Sequence, residues 1–221
     1  MNTIALRPFA AVKLLTFAVL ALASGCHFEG VRGNGEIVTE NRTVVNFTEV
    51  EANGAFDIHW ASGPTALSIK TDENLLRYVE ANVTGTKLHL RSRHSLRPTH
   101  GMRVTLSSSA LDGARLTGAC RLSAANVSGK GFYLDGTGAT RVTVSGKVNE
   151  LLASMTGASR LEAASLQTQT AELSISGAGR AEVAVSDTLK VAISGAGKVI
   201  YSGNPTIEKR ISGAGSVKQR E

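Results

Sequence analysis

A unit of Thr or Ser followed by Gly and Ala recurs six times in the second half of the chain, and it constrains the fold more than any other feature. Its glycines are Gly118, Gly138, Gly157, Gly177, Gly195 and Gly213. Successive glycines lie 20, 19, 20, 18 and 18 residues apart. A nearly fixed period of this length is typical of solenoid repeats, so the sequence predicts a stack of six similar coils.

The residues around each glycine favour a β-solenoid over a helical one. Positions two before, four after and six after the glycine are mostly apolar, and polar residues lie between them. This period of two is the pattern of β-strands. The glycine then marks a corner, because a residue without Cβ turns freely. The second residue after the glycine is always small. These residues are Cys120, Thr140, Ser159, Gly179, Gly197 and Gly215.

We therefore predict an all-β fold, a parallel β-helix or solenoid with 18–20 residues per coil and regular coils from about residue 115. Right-handed winding is expected by analogy with parallel crossovers. Neighbouring coils would lie roughly 4.8 Å apart and would share one core, because a single coil cannot bury its own apolar face. The 23 glycines and 5% aromatic residues suit a narrow core of small and branched side chains.

The region before residue 115 predicts an irregular β cap. Val50–Trp60 repeats the corner pattern around Gly54, so the solenoid begins there in a divergent form. Asp72–Val79 predicts a short helix with Asp72 as its N-cap. Gly85 and Thr86 predict a hairpin turn. Such a cap would protect the first coil from edge-to-edge aggregation.

The N-terminal segment has the features of a bacterial export signal. Arg7 and Lys13 precede the apolar run Leu14–Leu22, and Ala23-Ser24-Gly25-Cys26 forms a small-residue cleavage site. The site resembles a lipobox, although Ala23 stands where leucine is usual. The resemblance implies that Cys26 is lipidated and anchors the chain to a membrane. His27, in place of aspartate, implies the outer membrane. The alternative is ordinary cleavage that leaves Cys26 as a free thiol.

These features divide the chain into three parts. They are a lipoprotein signal peptide at 1–25, a tether at 26–34 and a single β-solenoid domain at 35–221. Residues 1–25 carry two basic residues and no acid, so removing them leaves 22 basic and 18 acidic residues, a net charge of +4.

Gly54-Ala55-Phe56-Asp57-Ile58 and the repeated Ser-Gly-Ala-Gly units resemble the putative auto-transporter adhesin head GIN domain family. The resemblance covers about residues 34–218. It implies a right-handed β-helix-like solenoid on a bacterial envelope, with no agreed activity, cofactor or catalytic residue. The early units depart from the pattern, with Cys120, Thr140 and Ser159 in place of the second glycine.

A row of cations forms the main candidate site. The third residue after each of the first five corner glycines is basic, and we call these residues the cation column. They are Arg121, Arg141, Arg160, Arg180 and Lys198. They alternate with apolar positions and should point outward. Neighbours about 5 Å apart would repel by roughly 0.8 kcal/mol. Either they pair with Glu162 and Glu182, or they bind an anionic glycan or lipopolysaccharide.

Other chemistry is weakly supported by the sequence. The basic segment 91–103 is predicted to be a mobile loop, and it lacks the interleaved aromatics of a nucleic-acid site. His94 and His100 have no cysteine or acid between them, so no metal site is expected. The aspartates are scattered, and Cys120 lies in the small-residue column as a packed thiol. We predict no catalytic residue and no cofactor.

The sequence thus favours a non-catalytic envelope module for binding or adhesion. A structural rod that packs against other envelope proteins is the alternative. A polysaccharide-cleaving β-helix enzyme is a third interpretation, which would need carboxylates gathered in a groove.

Overall fold

The computed structural model describes residues 30–220, which are 72% strand and 3% helix. The strands of the first half are β1 (Val31–Arg32), β2 (Ile37–Arg42), β3 (Glu49–Gly54), β4 (Asp57–Ser62), β5 (Ala66–Asp72), β6 (Val79–Thr84), β7 (Lys87–Ser92), β8 (Leu96–Arg97) and β9 (Arg103–Ser108). Those of the second half are β10 (Gly113–Gly118), β11 (Arg121–Gly138), β12 (Arg141–Gly157), β13 (Arg160–Gly177), β14 (Arg180–Gly195), β15 (Lys198–Ser202), β16 (Thr206–Ser212) and β17 (Ser216–Gln219). The prediction of an all-β chain is confirmed.

The N-terminal signal at 1–25 and Cys26 lie outside the described residues. Within residues 30–220, no helix is long and apolar enough to cross a membrane. The end of the predicted tether is paired, because β1 forms a parallel ladder with β8.

The corner glycines stack directly over one another, as the β-solenoid prediction requires. Parallel ladders place Gly118 opposite Gly54 and Gly138, and continue the row through Gly157, Gly177 and Gly195. Each has a positive φ, between 93° and 139°. The amide of Ala158 donates to the carbonyl of Gly138 at 2.9 Å, and the same bond recurs from turn to turn.

The stack has about five turns, whereas the repeats predict six coils. Within each turn, the register slips at a second position, for example between Ala124 and Val127 and between Thr143 and Ser145. These slips mark a second corner.

Side chains beside each corner fit one another by size. Gly179 and Gly197 leave room for Ile175, because a Cβ at either glycine would lie 2.9 or 2.8 Å from its Cγ2. At one corner the second residue after the corner glycine is Thr140, which is larger than glycine. The residue that faces it is Gly136, where a Cβ would lie 2.7 Å from the Thr140 Oγ1. The departure from Ser-Gly-Ala-Gly at Thr140 is therefore compensated across the corner.

The core is the narrow interior of the stack. The fourth residue after each corner glycine is fully buried in five successive turns. These residues are Leu122, Val142, Leu161, Ala181 and Val199. Larger side chains, including Phe47, Phe56 and Trp60, fill the N-terminal end. Trp60 Nε1 donates to Ser108 Oγ at 2.9 Å, which satisfies its buried N–H.

The N-terminal cap is built out of chain order. Strands β3 and β4 lie between β10 and β11 on one side and β7 and β9 on the other. Residues 87–108 therefore lie beneath residues 49–62, and the chain then returns above them at residue 113. Antiparallel β6 covers β7, antiparallel β5 covers β9, and β2 pairs antiparallel with the far side of β5. The cap and the hairpin turn at Gly85 and Thr86 are confirmed.

The predicted helix is a short 3₁₀ helix, Glu73–Tyr78, and Asp72 stands at its N-cap position with an extended backbone. Asp72 makes no side-chain bond to the helix. Its buried carboxylate accepts bonds of 2.8 Å from the amides of Gly35 and Thr99 and from the Thr99 hydroxyl. Asp72 therefore ties the N-terminal strand region to the loop before β9.

The segment 91–103 contains more structure than a loop. It includes β8, and Arg91 and Arg93 both pair with Glu80 on the neighbouring β6. The His94 ring packs edge-on against Tyr78, with ring centres 5.2 Å apart. Its charges are therefore partly used in holding the cap together.

The C-terminal end differs from the capped end. All residues of β16 are exposed, and Ile207 and Ile211 keep 37% and 40% of their surface accessible. The charged end of the chain folds over the neighbouring turn, where Arg220 pairs with Glu182. It does not cover β16.

Candidate functional site: an outward column of cations

The cation column forms one continuous row on the outside of the solenoid. Parallel ladders place Arg121 opposite Arg141, Arg141 opposite Arg160, Arg160 opposite Arg180, and Arg180 opposite Lys198. At roughly 4.8 Å per strand, the five positions span about 19 Å. A row of this length suits an extended ligand better than a single small ion.

The backbone holds each cation in place. The amide of Arg141 donates to the Cys120 carbonyl at 3.0 Å, and the amides of Arg160 and Arg180 donate to carbonyls of the preceding turn at 2.8 and 2.9 Å. The residue after each cation is buried, so the cation must point outward. The spacing of the row is therefore fixed by the ladder.

The row extends below Arg121 to two residues that sequence reasoning missed. Asp57 lies opposite Arg121, and Arg103 lies opposite Asp57. The Asp57 carboxylate is 3.3 Å from Arg103 Nη2 and 3.9 Å from Arg121 Nη1. Asp57 also stands third after Gly54, so the corner pattern could have placed it in the row. The Asp57 carboxylate offsets the positive charge at the Arg121 end of the cation column, which we call its lower end.

The expected pairing with glutamates holds only at the upper end. Arg180 Nη2 lies 3.0 Å from Glu182 Oε1. Pairing of a column cation with Glu162 is wrong, because Glu162 accepts a bond from Thr143 Oγ1 at 3.2 Å instead. Within residues 30–220, no carboxylate oxygen lies within 4.0 Å of a side-chain nitrogen of Arg141, Arg160 or Lys198.

A possible hydrolytic arrangement lies beside the lower end and is incomplete. His59 Nε2 is 3.2 Å from Asp57 Oδ2, and Ser123 lies opposite His59 in the next strand. Among the described residues, however, no hydrogen bond joins Ser123 to His59. A serine nucleophile needs that bond to be activated by the histidine, so this geometry does not form a catalytic triad.

The cysteine and histidine side chains do not form a reactive or metal-binding group beside the column. Cys120 is buried, and burial raises the pKa of its thiol, which disfavours the thiolate that a nucleophile needs. His100 Nδ1 lies 3.0 Å from Thr99 Oγ1. Residues 30–220 contain no group of three or more His, Cys, Asp or Glu side chains placed to hold a metal ion.

A cavity of about 470 Å³ lies at the second corner, away from the cation column. Its lining includes Lys147, Gln167, Thr168 and Ser186. It contains no carboxylate, which the polysaccharide-cleaving interpretation would require.

Comparisons with known proteins agree with this architecture. The family model described as "putative auto-transporter adhesin, head GIN domain" matches residues 46–205. A putative adhesin from Bacteroides fragilis has a similar structure, with 19% identity, a TM-score of 0.72 and coverage of 86% of this chain and 100% of that one. A putative lipid-binding protein from Parabacteroides distasonis has 20% identity, a TM-score of 0.56 and coverage of 87% and 100%. No curated protein matches the sequence.

Proposed function

Because this chain belongs to the putative auto-transporter adhesin, head GIN domain family, we propose that it is a non-catalytic binding module of the bacterial envelope. Its ligand is an anionic polymer, such as an acidic glycan or the phosphorylated part of lipopolysaccharide, which lies along the cation column. The supporting observation is that Arg141, Arg160 and Lys198 stand in one register without a carboxylate partner.

The electrostatics favour a polymer with regularly spaced anions. Five like charges in one row repel one another, and a bound row of phosphates or carboxylates would relieve that repulsion. Arginine also suits this ligand, because its planar guanidinium binds carboxylate or phosphate through two parallel bonds.

Replacing Arg121, Arg141 and Arg160 with alanine is expected to weaken retention on an immobilised acidic glycan or lipopolysaccharide on the order of tenfold. Three exposed ion pairs at roughly 0.2–1 kcal/mol each sum to about 1–3 kcal/mol. Binding of the unaltered protein should also fall as salt rises. Retention on each ligand, measured beside a neutral glycan, checks this.

A matched control removes the same charge elsewhere. Lys130, Lys147 and Lys190 are exposed and lie outside the column, so replacing all three with alanine should leave binding nearly unchanged. Thermal melting should show that both variants fold. Equal losses in the two variants would reduce the effect to net charge and contradict a role for the column.

We also propose that the module is anchored to the outer membrane through a lipid on Cys26. Changing Cys26 to serine should abolish incorporation of labelled fatty acid and move the protein from the membrane fraction to the soluble one. Changing the buried Cys120 to serine should leave the label in place. Unlabelled wild-type protein, or label that persists in the Cys26 variant, would refute the anchor.

A further inference from the structure

Strand β16 presents an open edge at the C-terminal end of the solenoid. One side pairs with β14, from Thr206 opposite Thr188 to Ser212 opposite Ser194. Among residues 30–220, no strand pairs with the other side. An unpaired edge offers a row of free N–H and C=O groups to another strand.

The core also ends without cover at this strand. Ile207 stacks on buried Leu189, and Ile211 stacks on buried Ile193. Both isoleucines are partly accessible, although they stand in columns that are fully buried one turn below. A partner strand laid along β16 would cover them.

The sequence of β16 is complementary to itself when reversed. If a second copy pairs antiparallel about Lys209, Ile207 faces Ile211 of that copy and Glu208 faces its Arg210. Thr206 then faces Ser212. A two-fold axis makes each of these contacts twice, and opposite charges or apolar groups directly across a ladder stabilise it.

Other registers lack this match. Residues that face each other across an antiparallel pair lie on the same side of the sheet. The two-fold axis must therefore pass through a residue, and not between two residues, if both inward faces are to stay inward. Centring on Glu208 sets Glu208 against itself and Ile207 against Lys209. Centring on Arg210 sets two arginines face to face and Ile211 against Lys209. Of these three registers, the one centred on Lys209 is the one that pairs all its neighbours. It opposes two lysines that stand on the inward face above buried Val191, so their flexible stems must carry the ammonium groups aside.

The N-terminal end of the molecule presents a different surface. There β6 pairs with β7, β5 pairs with β9 and β2 pairs with β5, all antiparallel. Because these outer strands run antiparallel to their neighbours, the parallel stacking of the coils does not continue from the tail of one copy into the head of the next.

We propose that two copies of this chain associate tail to tail by antiparallel pairing of their β16 strands in the register centred on Lys209. The pair is a two-fold dimer in which one sheet continues from copy to copy. The cation column of each copy stays on the outer surface, so this inference does not depend on the proposed ligand.

Charge reversal tests the pairing in the full chain purified in detergent. Sedimentation equilibrium should show a dimer for the unaltered protein. Changing Arg210 to glutamate sets like charges against each other twice and should raise the dissociation constant about tenfold or more. Adding Glu208→Arg to Arg210→Glu restores opposite charges and should restore dimerisation. Thermal melting checks that each variant folds.

A cysteine at the two-fold axis tests the register. In cells that express the full chain, Lys209→Cys should give a disulfide-linked dimer under oxidising conditions, because the two Cα atoms would lie within disulfide range. Ser212→Cys, which faces Thr206 and not itself, should give none above the wild-type background. A monomer at all concentrations, a dimer indifferent to charge reversal, or no cross-link at Lys209→Cys would each overturn the proposal. A monomer would instead identify Lys209 as an inward charge that keeps this edge unpaired.

Discussion

Gly157→Ala is expected to destabilise the fold by roughly 2–6 kcal/mol and to lower the melting temperature by on the order of 10 °C. Gly157 has a φ of 93°, which side chains with a Cβ rarely adopt. A Cβ there would also lie 2.7 Å from the Gly138 carbonyl oxygen. That oxygen accepts the Ala158 amide, so it cannot move away without breaking the ladder. Thermal and chemical denaturation measure the loss.

Gly85→Ala separates the two causes of the stability loss in Gly157→Ala, which are backbone strain at a positive φ and the clash with the neighbouring turn. Gly85 also has a positive φ, 61°, but no heavy atom lies within 4 Å of its added Cβ. This variant bears only the backbone strain, roughly 1–2 kcal/mol. If both variants lose the same stability, close stacking at the corner is not what requires glycine.

Asp72→Ala is expected to destabilise the fold by roughly 2–4 kcal/mol at neutral pH. The change removes three hydrogen bonds to one buried carboxylate, from the Gly35 amide, the Thr99 amide and the Thr99 hydroxyl, and each such bond contributes about 0.5–1.5 kcal/mol. Gly33→Ala should act on the same contact, because its Cβ would lie 2.2 Å from the Asp72 Cγ. Urea denaturation measures both. The exposed Asp187, changed to alanine, should shift stability by less than about 0.5 kcal/mol.

The contribution of Asp72 should depend on pH. Burial alone would raise the pKa of its carboxyl, but the hydrogen bonds from Thr99 and Gly35 outweigh burial and hold the pKa below its ordinary value. A lowered pKa in the folded state means that the stabilisation is complete above the unfolded value, about 3.9, and is lost as pH falls through the folded value. The difference in free energy of unfolding between the wild type and Asp72→Ala should therefore shrink below about pH 4. A constant difference down to pH 2 would show that the charge is not involved.

Local patterns predict the regular coils well, because each column depends only on residues a fixed distance along the chain. The glycine corners, the buried position of Leu122 and the outward position of Arg141 all follow from period-two alternation around one turn. The same logic covers Asp57, since it stands third after Gly54.

The cap could not be predicted in this way. Alternation identifies the inward face of a strand but not its neighbours, so nothing local shows that β7 and β9 lie beneath β3 and β4. The sequence places Asp72 at the start of the helix, but it does not reveal the partners of its carboxylate, because Gly35 and Thr99 are 37 and 27 residues away. The predicted pairing of Glu162 with a column cation is wrong for a related reason, because Thr143 on the adjacent turn donates to the Glu162 carboxylate.

The placement of residues 49–62 between two later segments has a consequence for how the chain acquires its structure. When synthesis or export delivers the N-terminus first, this turn lacks a complete neighbour until residue 108 has emerged. The cap must therefore condense as one unit from contacts distant along the chain, which is the slow kind of folding step. Each later turn pairs only with its neighbours and closes over a short stretch of chain, so the cap and the regular turns place different demands on folding.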